Sequence, residues 1–119
     1  MIDQSSLKAV VQDLARHDKV IDVSIVSHDG LVLTSSSTSL DVTDIIGAMS
    51  SEVIAKGKQS IRELELGELW GNLLFGTTGA ILTRVVNEEM VLLVRVQPGI
   101  NLGAIVNLMN SSVKKLALD

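Results

Sequence analysis

The sequence lacks cysteine altogether, and this absence excludes several kinds of chemistry. Disulfide bonds, thiolate nucleophiles and cysteine-ligated metal ions all require the thiol group. The absence also agrees with a reducing compartment, where structural disulfides are rare. The first residues, Met-Ile-Asp-Gln, show neither the basic start nor the apolar segment of a secretory signal. We therefore expect a cytoplasmic protein.

Aromatic side chains are almost absent, with one Trp, one Phe and no Tyr, whereas apolar residues make up 46% of the chain. The predicted core is therefore aliphatic. Mean hydropathy is +0.39, and a small domain buries a smaller fraction of its surface than a large one, so we expect another chain to cover some apolar surface. The longest aliphatic run, residues 90–94, is far shorter than the about 20 residues of a membrane-spanning helix. Membrane insertion is not expected.

Clusters of basic residues are missing as well. The net charge is −4, and the largest basic cluster is Lys114-Lys115. Because phosphate binding relies on grouped Lys and Arg, nucleic acid is not an expected partner. The two histidines, His17 and His28, have no carboxylate at ligand spacing on a shared helix face, so we predict no metal site and no other cofactor. A chain of 119 residues is expected to form one domain, residues 1–119.

Residues 20–36 are the most informative part of what is present. Two runs rich in β-branched residues meet at Asp29-Gly30. Glycine reaches positive φ without a Cβ clash, and Asp tolerates the same region, so this dipeptide is a strong hairpin signal. The sequence predicts strands one and two here, joined by a tight turn.

Helical periodicity appears three times. The first helix is predicted from a cap at Ser5 or Ser6 to about His17, the second starts from a cap at Asp41, and the third starts from a cap at Asn101. Apolar residues at i, i+3, i+4 and i+7 mark the predicted buried faces. These residues are Leu7, Val10, Val11 and Leu14; then Val42, Ile45, Ile46, Met49 and Val53; then Leu102, Ile105, Val106, Met109, Val113 and Leu116.

Three further strands are predicted between the second and third helices. They cover residues 69–75, with a start as early as Leu64, then residues 80–86 and residues 90–96. Residues 90–94 are apolar on both faces, which predicts a central strand covered on both sides. The order is α-β-β-α-β-β-β-α, an α+β fold with a five-stranded antiparallel sheet and helices on both faces.

Two segments imitate catalytic motifs. Residues 71–78 have the spacing of a phosphate-binding loop, but Thr77 stands where the lysine is needed, and the segment joins two strands. Ser27, His28 and Asp29 are the residue types of a hydrolytic triad, yet consecutive residues cannot converge on one nucleophile. We therefore predict a protein that is not an enzyme.

A row of mostly small residues lies opposite the predicted core stripe of the second helix. Gly47, Ser51 and Ala55 recur at i+4, and small residues let another backbone approach closely. We predict this face as the partner-binding surface, although a solvated face gives the same pattern. The predicted residues are Asp44, Gly47, Ala48, Ser51, Ala55 and Lys58.

The order of elements and several local features resemble the roadblock family of dynein light chain type domains. The resemblance rests on the first helix, the hairpin of residues 23–33, the helix from Asp41, and Asn101-Leu102-Gly103 at the start of the last helix. Profilin-like and longin-like domains share parts of this pattern. The resemblance implies homodimers whose sheets join edge to edge, acting on Ras-like small GTPases in prokaryotes or as motor and signalling adaptors in eukaryotes. It also implies that the paired second helices receive the GTPase, while the first and last helices cover the other side.

The functional hypothesis is a non-catalytic homodimeric module that binds and regulates a Ras-like small GTPase. An exposed aliphatic strand invites strand addition, so the dimer interface is predicted on the third strand at Leu69, Gly71, Leu73 and Phe75. Arg62 is the nearest candidate for an arginine finger. One alternative is a structural adaptor that leaves nucleotide turnover unchanged. Another is a small-ligand sensor, which the scarcity of aromatic residues disfavours.

Overall fold

The computed structural model describes residues 2–118 and has the predicted order of elements. The helices are α1 (Gln4–Ala15), α2 (Leu40–Glu63) and α3 (Leu102–Leu118). The strands are β1 (Val20–Ser27), β2 (Val32–Ser35), β3 (Gly71–Gly76), β4 (Gly79–Val85) and β5 (Met90–Val96). The predicted bounds of β5 are confirmed.

The five strands form one antiparallel sheet in the order β2-β1-β5-β4-β3. The predicted central position of β5 is confirmed, because residues 91–94 are at most 1% exposed. The two outer strands are β2 and β3, so each has one backbone edge without a neighbouring strand in this protomer.

Helices cover both faces of the sheet. On one face α1 and α3 form the main core with β1, β4 and β5, and every predicted core residue of α1 is buried. On the other face α2 packs over two smaller apolar clusters, one centred on Ile46 with Val26 and Leu93, the other on Ile54 with Leu69 and Val91. The two faces therefore differ, since one carries two helices and the other carries one.

Two of the predicted helix caps were placed wrongly. The N-cap of α1 is Asp3, not Ser5 or Ser6, and its carboxylate accepts from the Ser6 N–H at 2.9 Å. The N-cap of α2 is Ser39, whose side chain accepts from the Val42 N–H, and Asp41 lies inside the first turn. Asp and Ser are equally good N-caps, so a polar segment offers several candidates that sequence alone does not rank. The predicted cap of α3 is confirmed, because Asn101 Oδ1 accepts from the Ala104 N–H at 3.0 Å.

The predicted start of the third strand is also wrong, because β3 begins at Gly71. Residues 64 and 66 lie in the turn that follows α2, where Glu65 has φ 57° and Gly67 has φ 92°. Leu69 is 8% exposed and packs beneath α2. The apolar residues before Gly71 therefore include one that anchors the connection, and they do not extend the strand.

Candidate functional site

The core face of α2 differs from the predicted stripe. The buried residues are Ile46, Gly47, Ser50 and Ile54, whereas Ile45 is 63% exposed. Met49 and Val53 are half-buried and follow Ile45 at i+4 and i+8, so the three side chains form one stripe along a flank of the helix. Predicted core residues thus lie on a partly open flank, and the helix is rotated relative to the prediction.

A close contact between α2 and the β1–β2 hairpin explains the rotation. A Cβ atom on Gly47 would lie 2.5 Å from the Gly30 carbonyl oxygen, and one on Gly30 would lie 2.8 Å from the Gly47 carbonyl oxygen. Gly30 also has φ +96°, a backbone region that favours glycine. These two glycines let helix and hairpin approach to backbone contact. Gly47, one of the predicted partner residues, is therefore buried against the chain's own hairpin and does not belong to the accessible surface of α2.

Two more of the predicted partner residues also face the hairpin. Ser51 is half-buried, and its Oγ would lie 3.8 Å from a Cβ on Gly30. The Lys58 ammonium lies 3.2 Å from His28 Nδ1, which accepts the hydrogen bond. In this tautomer Nε2 carries the imidazole proton; Nε2 is buried and has no hydrogen-bond partner within residues 2–118.

The other predicted partner residues lie on the outward side of α2. Asp44, Ala48 and Ala55 are exposed, and Leu40 in the first turn is 81% exposed. This outward face is defined here by Leu40, Asp44, Ala48 and Ala55. It combines small and apolar residues with one acidic residue, and it is accessible in the protomer.

The β3 edge is the second accessible surface. Leu73, Leu74 and Phe75 are 44%, 47% and 70% exposed, which is unusual for consecutive residues of a strand. The Trp70 carbonyl accepts from the Val85 N–H at 2.9 Å. Because backbone groups alternate in an antiparallel ladder, residues 71, 73 and 75 then direct their N–H and C=O groups away from β4. This edge offers both apolar side chains and backbone hydrogen-bonding groups.

A groove of about 430 Å³ runs between α2 and β3 on the α2 side of the sheet. Gly57 leaves room for the Asn72 amide, since a Cβ there would lie 3.0 Å from Asn72 Nδ2. That Nδ2 atom is buried and has no hydrogen-bond partner in the described part of the chain. The groove also contains Val53, Lys56 and Leu74. No sequence pattern indicates this groove, because α2 and β3 meet only in the folded chain.

A smaller apolar groove of about 240 Å³ lies on the other face, between β3 and α3. Its lining includes Trp70, Gly71, Leu73, Leu82, Val106 and Met109. Arg84 closes one side, with its guanidinium carbon 4.0 Å from the centroid of the Trp70 ring and its Nε donating to Asn110 Oδ1 at 3.0 Å. Burial lowers the pKa of Arg84 from its ordinary value, although an arginine remains charged at neutral pH.

An ion pair between β1 and β5 lies on the α2 side of the sheet. Arg95 Nε donates to both carboxylate oxygens of Asp22, at 2.9 and 3.0 Å, and Arg95 Nη2 donates to Oδ2. The Asp22 carboxylate is buried, and the hydrogen bond to Asp22 raises the pKa of Arg95. Sequence reasoning missed this pair, because its members are distant in the chain and each follows an apolar neighbour in a strand.

The segments that imitate catalytic motifs have structural roles. Ser27 Oγ donates to the Asp29 carboxylate, while the His28 ring contacts Lys58, so the three side chains do not form a relay. Residues 71–76 form β3. Arg62, the candidate finger, is exposed and lies 3.8 Å from Glu68. Within residues 2–118, no cluster of three or more His, Asp or Glu side chains could hold a metal ion.

The family model of the Roadblock/LC7 domain matches residues 7–95. The chain belongs to the Roadblock/LC7 family. A comparison with curated proteins returns no match. The solved structures that are similar in fold also have low sequence identity with this chain.

Several solved structures are similar to this one. Myxococcus xanthus MglB has a TM-score of 0.86 at 16% identity, with 96% of this chain and 86% of that chain covered. A Roadblock/LC7 domain from Streptomyces avermitilis has a TM-score of 0.83 at 16% identity, covering 98% and 96%. Profilin II from Acanthamoeba castellanii has a TM-score of 0.61 at 16% identity, covering 95% and 94%. The roadblock fold with profilin-like architecture is thus confirmed.

The helices described for residues 2–118 include none that combines the length and the apolar character needed to cross a bilayer.

Proposed function

We propose that this roadblock domain is a non-catalytic homodimer that binds a Ras-like small GTPase and regulates it. The observation that carries the proposal is the exposed β3 edge, which lies beside an accessible α2 in a chain of the Roadblock/LC7 family. The family resemblance implies that prokaryotic members act as scaffolds or regulators of such GTPases, and this chain is similar in fold to Myxococcus xanthus MglB.

The dimer is supported by surface that a monomer would leave in water. Leu73, Leu74 and Phe75 are exposed on an edge strand, and the Ile45 stripe of α2 lies on the same side of the sheet as Leu74. Joining two β3 strands pairs the free backbone groups, and a twofold axis makes the two contributions equal. Of the predicted interface residues, Gly71, Leu73 and Phe75 stay in this proposal. Leu69 leaves it because it is buried within the protomer, and Leu74 joins it.

The GTPase site is proposed on the outward face of α2. This face remains free if the dimer uses β3 and the flank of α2, and its small residues allow close approach of another protein. Arg62, the one arginine of α2, lies in its last turn. Regulation of hydrolysis would therefore act by positioning groups of the GTPase itself, because phosphoryl transfer depends mainly on orientation and electrostatic stabilisation.

The test uses a variant with Ala48→Arg and Ala55→Arg, two exposed positions on the outward face. The matched control is Ala9→Arg, an exposed alanine of α1 on the other side of the sheet. The probe is a purified Ras-like small GTPase loaded with a non-hydrolysable GTP analogue, with binding measured by calorimetry. We expect at least a roughly tenfold loss of affinity for the double variant and no loss for the control.

The same experiment separates the alternatives. Light scattering at micromolar concentration should give twice the protomer mass of 12.7 kDa for all three proteins. Equal affinity of the double variant and the control would contradict the proposed site. GTPase binding with unchanged GTP turnover would favour the structural adaptor over the regulator.

A further inference from the structure

The symmetry of a homodimer restricts how two β3 strands can pair. When two copies of one strand pair antiparallel about a twofold axis, the axis passes midway between one residue and the same residue of the other copy. The residues whose N–H and C=O groups point away from β4 must face each other across the dimer. The register can therefore shift only by two residues at a time. Centring on Leu73 pairs residues 71–75 of both copies, and centring on Leu74 pairs residues 72–76. These two registers use the strand most fully.

We propose that the β3 strands pair with Leu73 opposite Leu73. This inference rests on the proposed homodimer and specifies its register. Phe75 of each copy then lies opposite Gly71 of the other, and Leu74 lies opposite Asn72. Phe75 enters the second copy's groove between β3 and α3, and Leu74 enters the second copy's groove between α2 and β3.

The side-chain faces agree with this assignment. Phe75 and Gly71 lie opposite Ala80 and Arg84 of β4, on the side of the sheet covered by α3. Because the dimer axis is perpendicular to the sheet, Phe75 meets the second copy on that same side. The groove there contains Gly71, Trp70 and Met109, and its about 240 Å³ can accept an aromatic ring.

Size complementarity distinguishes the two registers. Centring on Leu73 sets the large Phe75 against Gly71, which has no side chain, and an aromatic residue across from a strand glycine is a stabilising pair in sheets. Gly71 cannot carry a side chain in any case, because a Cβ there would lie 2.3 Å from the Thr83 carbonyl oxygen. Centring on Leu74 sets Phe75 against Leu73 and leaves Gly71 facing the turn after β3.

The absence of native cysteine allows a direct test by single-cysteine oxidation. In the proposed register, residue 73 of one copy lies about 5.5 Å in Cα distance from residue 73 of the other, within the range of about 4.4 to 6.8 Å that a disulfide requires. Residue 74 lies diagonal to its counterpart, at about 7 to 8 Å. We expect Leu73→Cys to form a covalent dimer on mild oxidation and Leu74→Cys to form far less.

Each outcome decides between the register and the dimer. A monomer mass for unmodified protein in light scattering overturns the homodimer itself. A dimer mass with faster cross-linking of Leu74→Cys overturns the register and leaves the homodimer intact. A dimer mass with no cross-link in either variant overturns pairing through β3, and also the register.

A second readout uses Phe75→Ala, which removes a side chain that is 70% exposed in the protomer and so should not affect folding. Each dimer would lose two buried rings, and we expect the dimer dissociation constant to rise roughly a hundredfold. Emission of Trp70 should shift to longer wavelength on dilution as the ring of the second copy leaves its groove. Leu31→Ala, at a 64% exposed position in the β1–β2 hairpin, is the matched control. An unchanged dissociation constant for Phe75→Ala contradicts the register.

Discussion

The two edges of the sheet differ in how far each is protected against pairing with another strand. Edge strand β2 has four residues, all half-buried, and its pairing with β1 contains a bulge. The bulge leaves Leu33 without a directly opposite residue, and Gln4 Nε2 of α1 donates to the Leu33 carbonyl at 3.2 Å. Edge strand β3 has six residues in regular register, with apolar side chains that are largely exposed.

Short strands, bulges and covering helices are the devices that natural sheets use against unwanted strand addition. All three are present at β2. At β3 the sequence Gly-Asn-Leu-Leu-Phe-Gly contains no charge and no proline, and its pairing contains no bulge. The contrast supports the proposed pairing through β3, and it implies that such a dimer would not extend further through β2.

A charged residue on β3 is the change from which we expect the largest effect on assembly. Lysine on an edge strand blocks pairing, because its ammonium would be taken out of water in the interface. We expect Phe75→Lys to give a monomer at micromolar concentration in analytical ultracentrifugation, with an unchanged circular dichroism spectrum. Thr34→Lys on β2 is the control and should leave the assembly unchanged. A Phe75→Lys protein that remains dimeric at nanomolar concentration would show that the interface lies elsewhere.

The hairpin that carries β2 is held by the Gly30–Gly47 contact, and disturbing it should have the next largest effect. We expect Gly47→Ala to lower the free energy of unfolding by about 1 to 3 kcal/mol, because a Cβ would overlap the Gly30 carbonyl oxygen. Gly103→Ala is the matched control in α3, where the added Cβ would lie 3.5 Å from Asn101 Oδ1. Since alanine is a better helix former than glycine, the control should gain stability in chemical denaturation. Equal responses of the two variants would contradict the close-contact argument.

Local patterns were sufficient to predict most of the fold. The Asp29-Gly30 turn, the continuous apolar run of β5 and the spacing of α1 each carry their signal within a few neighbouring residues, and all three predictions are confirmed. In each of these segments the spacing of the apolar residues is compatible with one type of secondary structure and one choice of buried residues. Element order and the central strand follow from them.

The orientation of α2 could not be predicted in the same way. Ile45 and Ile46 are adjacent, so either could belong to the core stripe, and the choice depends on the approach of Gly47 to Gly30. That contact joins residues far apart in the sequence and leaves no periodic signal. For the same reason the sequence prediction grouped Gly47, Ser51 and Lys58 with the outward Ala48 and Ala55, although the first three face the hairpin.

The smallest predicted effect concerns α1, which shields β2 through Gln4. Asp3 caps this helix, and hydrogen bonds from the Ser6 N–H and the Ser5 hydroxyl lower the pKa of Asp3 below 3.8. A carboxylate with a lowered folded-state pKa stabilises the fold above its unfolded-state pKa, and this contribution is lost as the pH falls through the lower folded value. The loss of this stabilising contribution is therefore expected in acidic solution, below about pH 4.

Asp3→Ala should fray the first turn of α1 and release Gln4 from the Leu33 carbonyl, because alanine cannot accept from the helix N–H groups. We expect faster hydrogen exchange of backbone amides in α1 and β2 at neutral pH, with exchange in β3 unchanged. Asp3→Asn keeps the cap without the charge. Its stability at low pH should therefore equal that of the unmodified protein, and it should lack only the stabilisation that the Asp3 carboxylate adds at higher pH. Exchange in β2 that is equally slow in Asp3→Ala would mean that the bulge and short length protect this edge without α1.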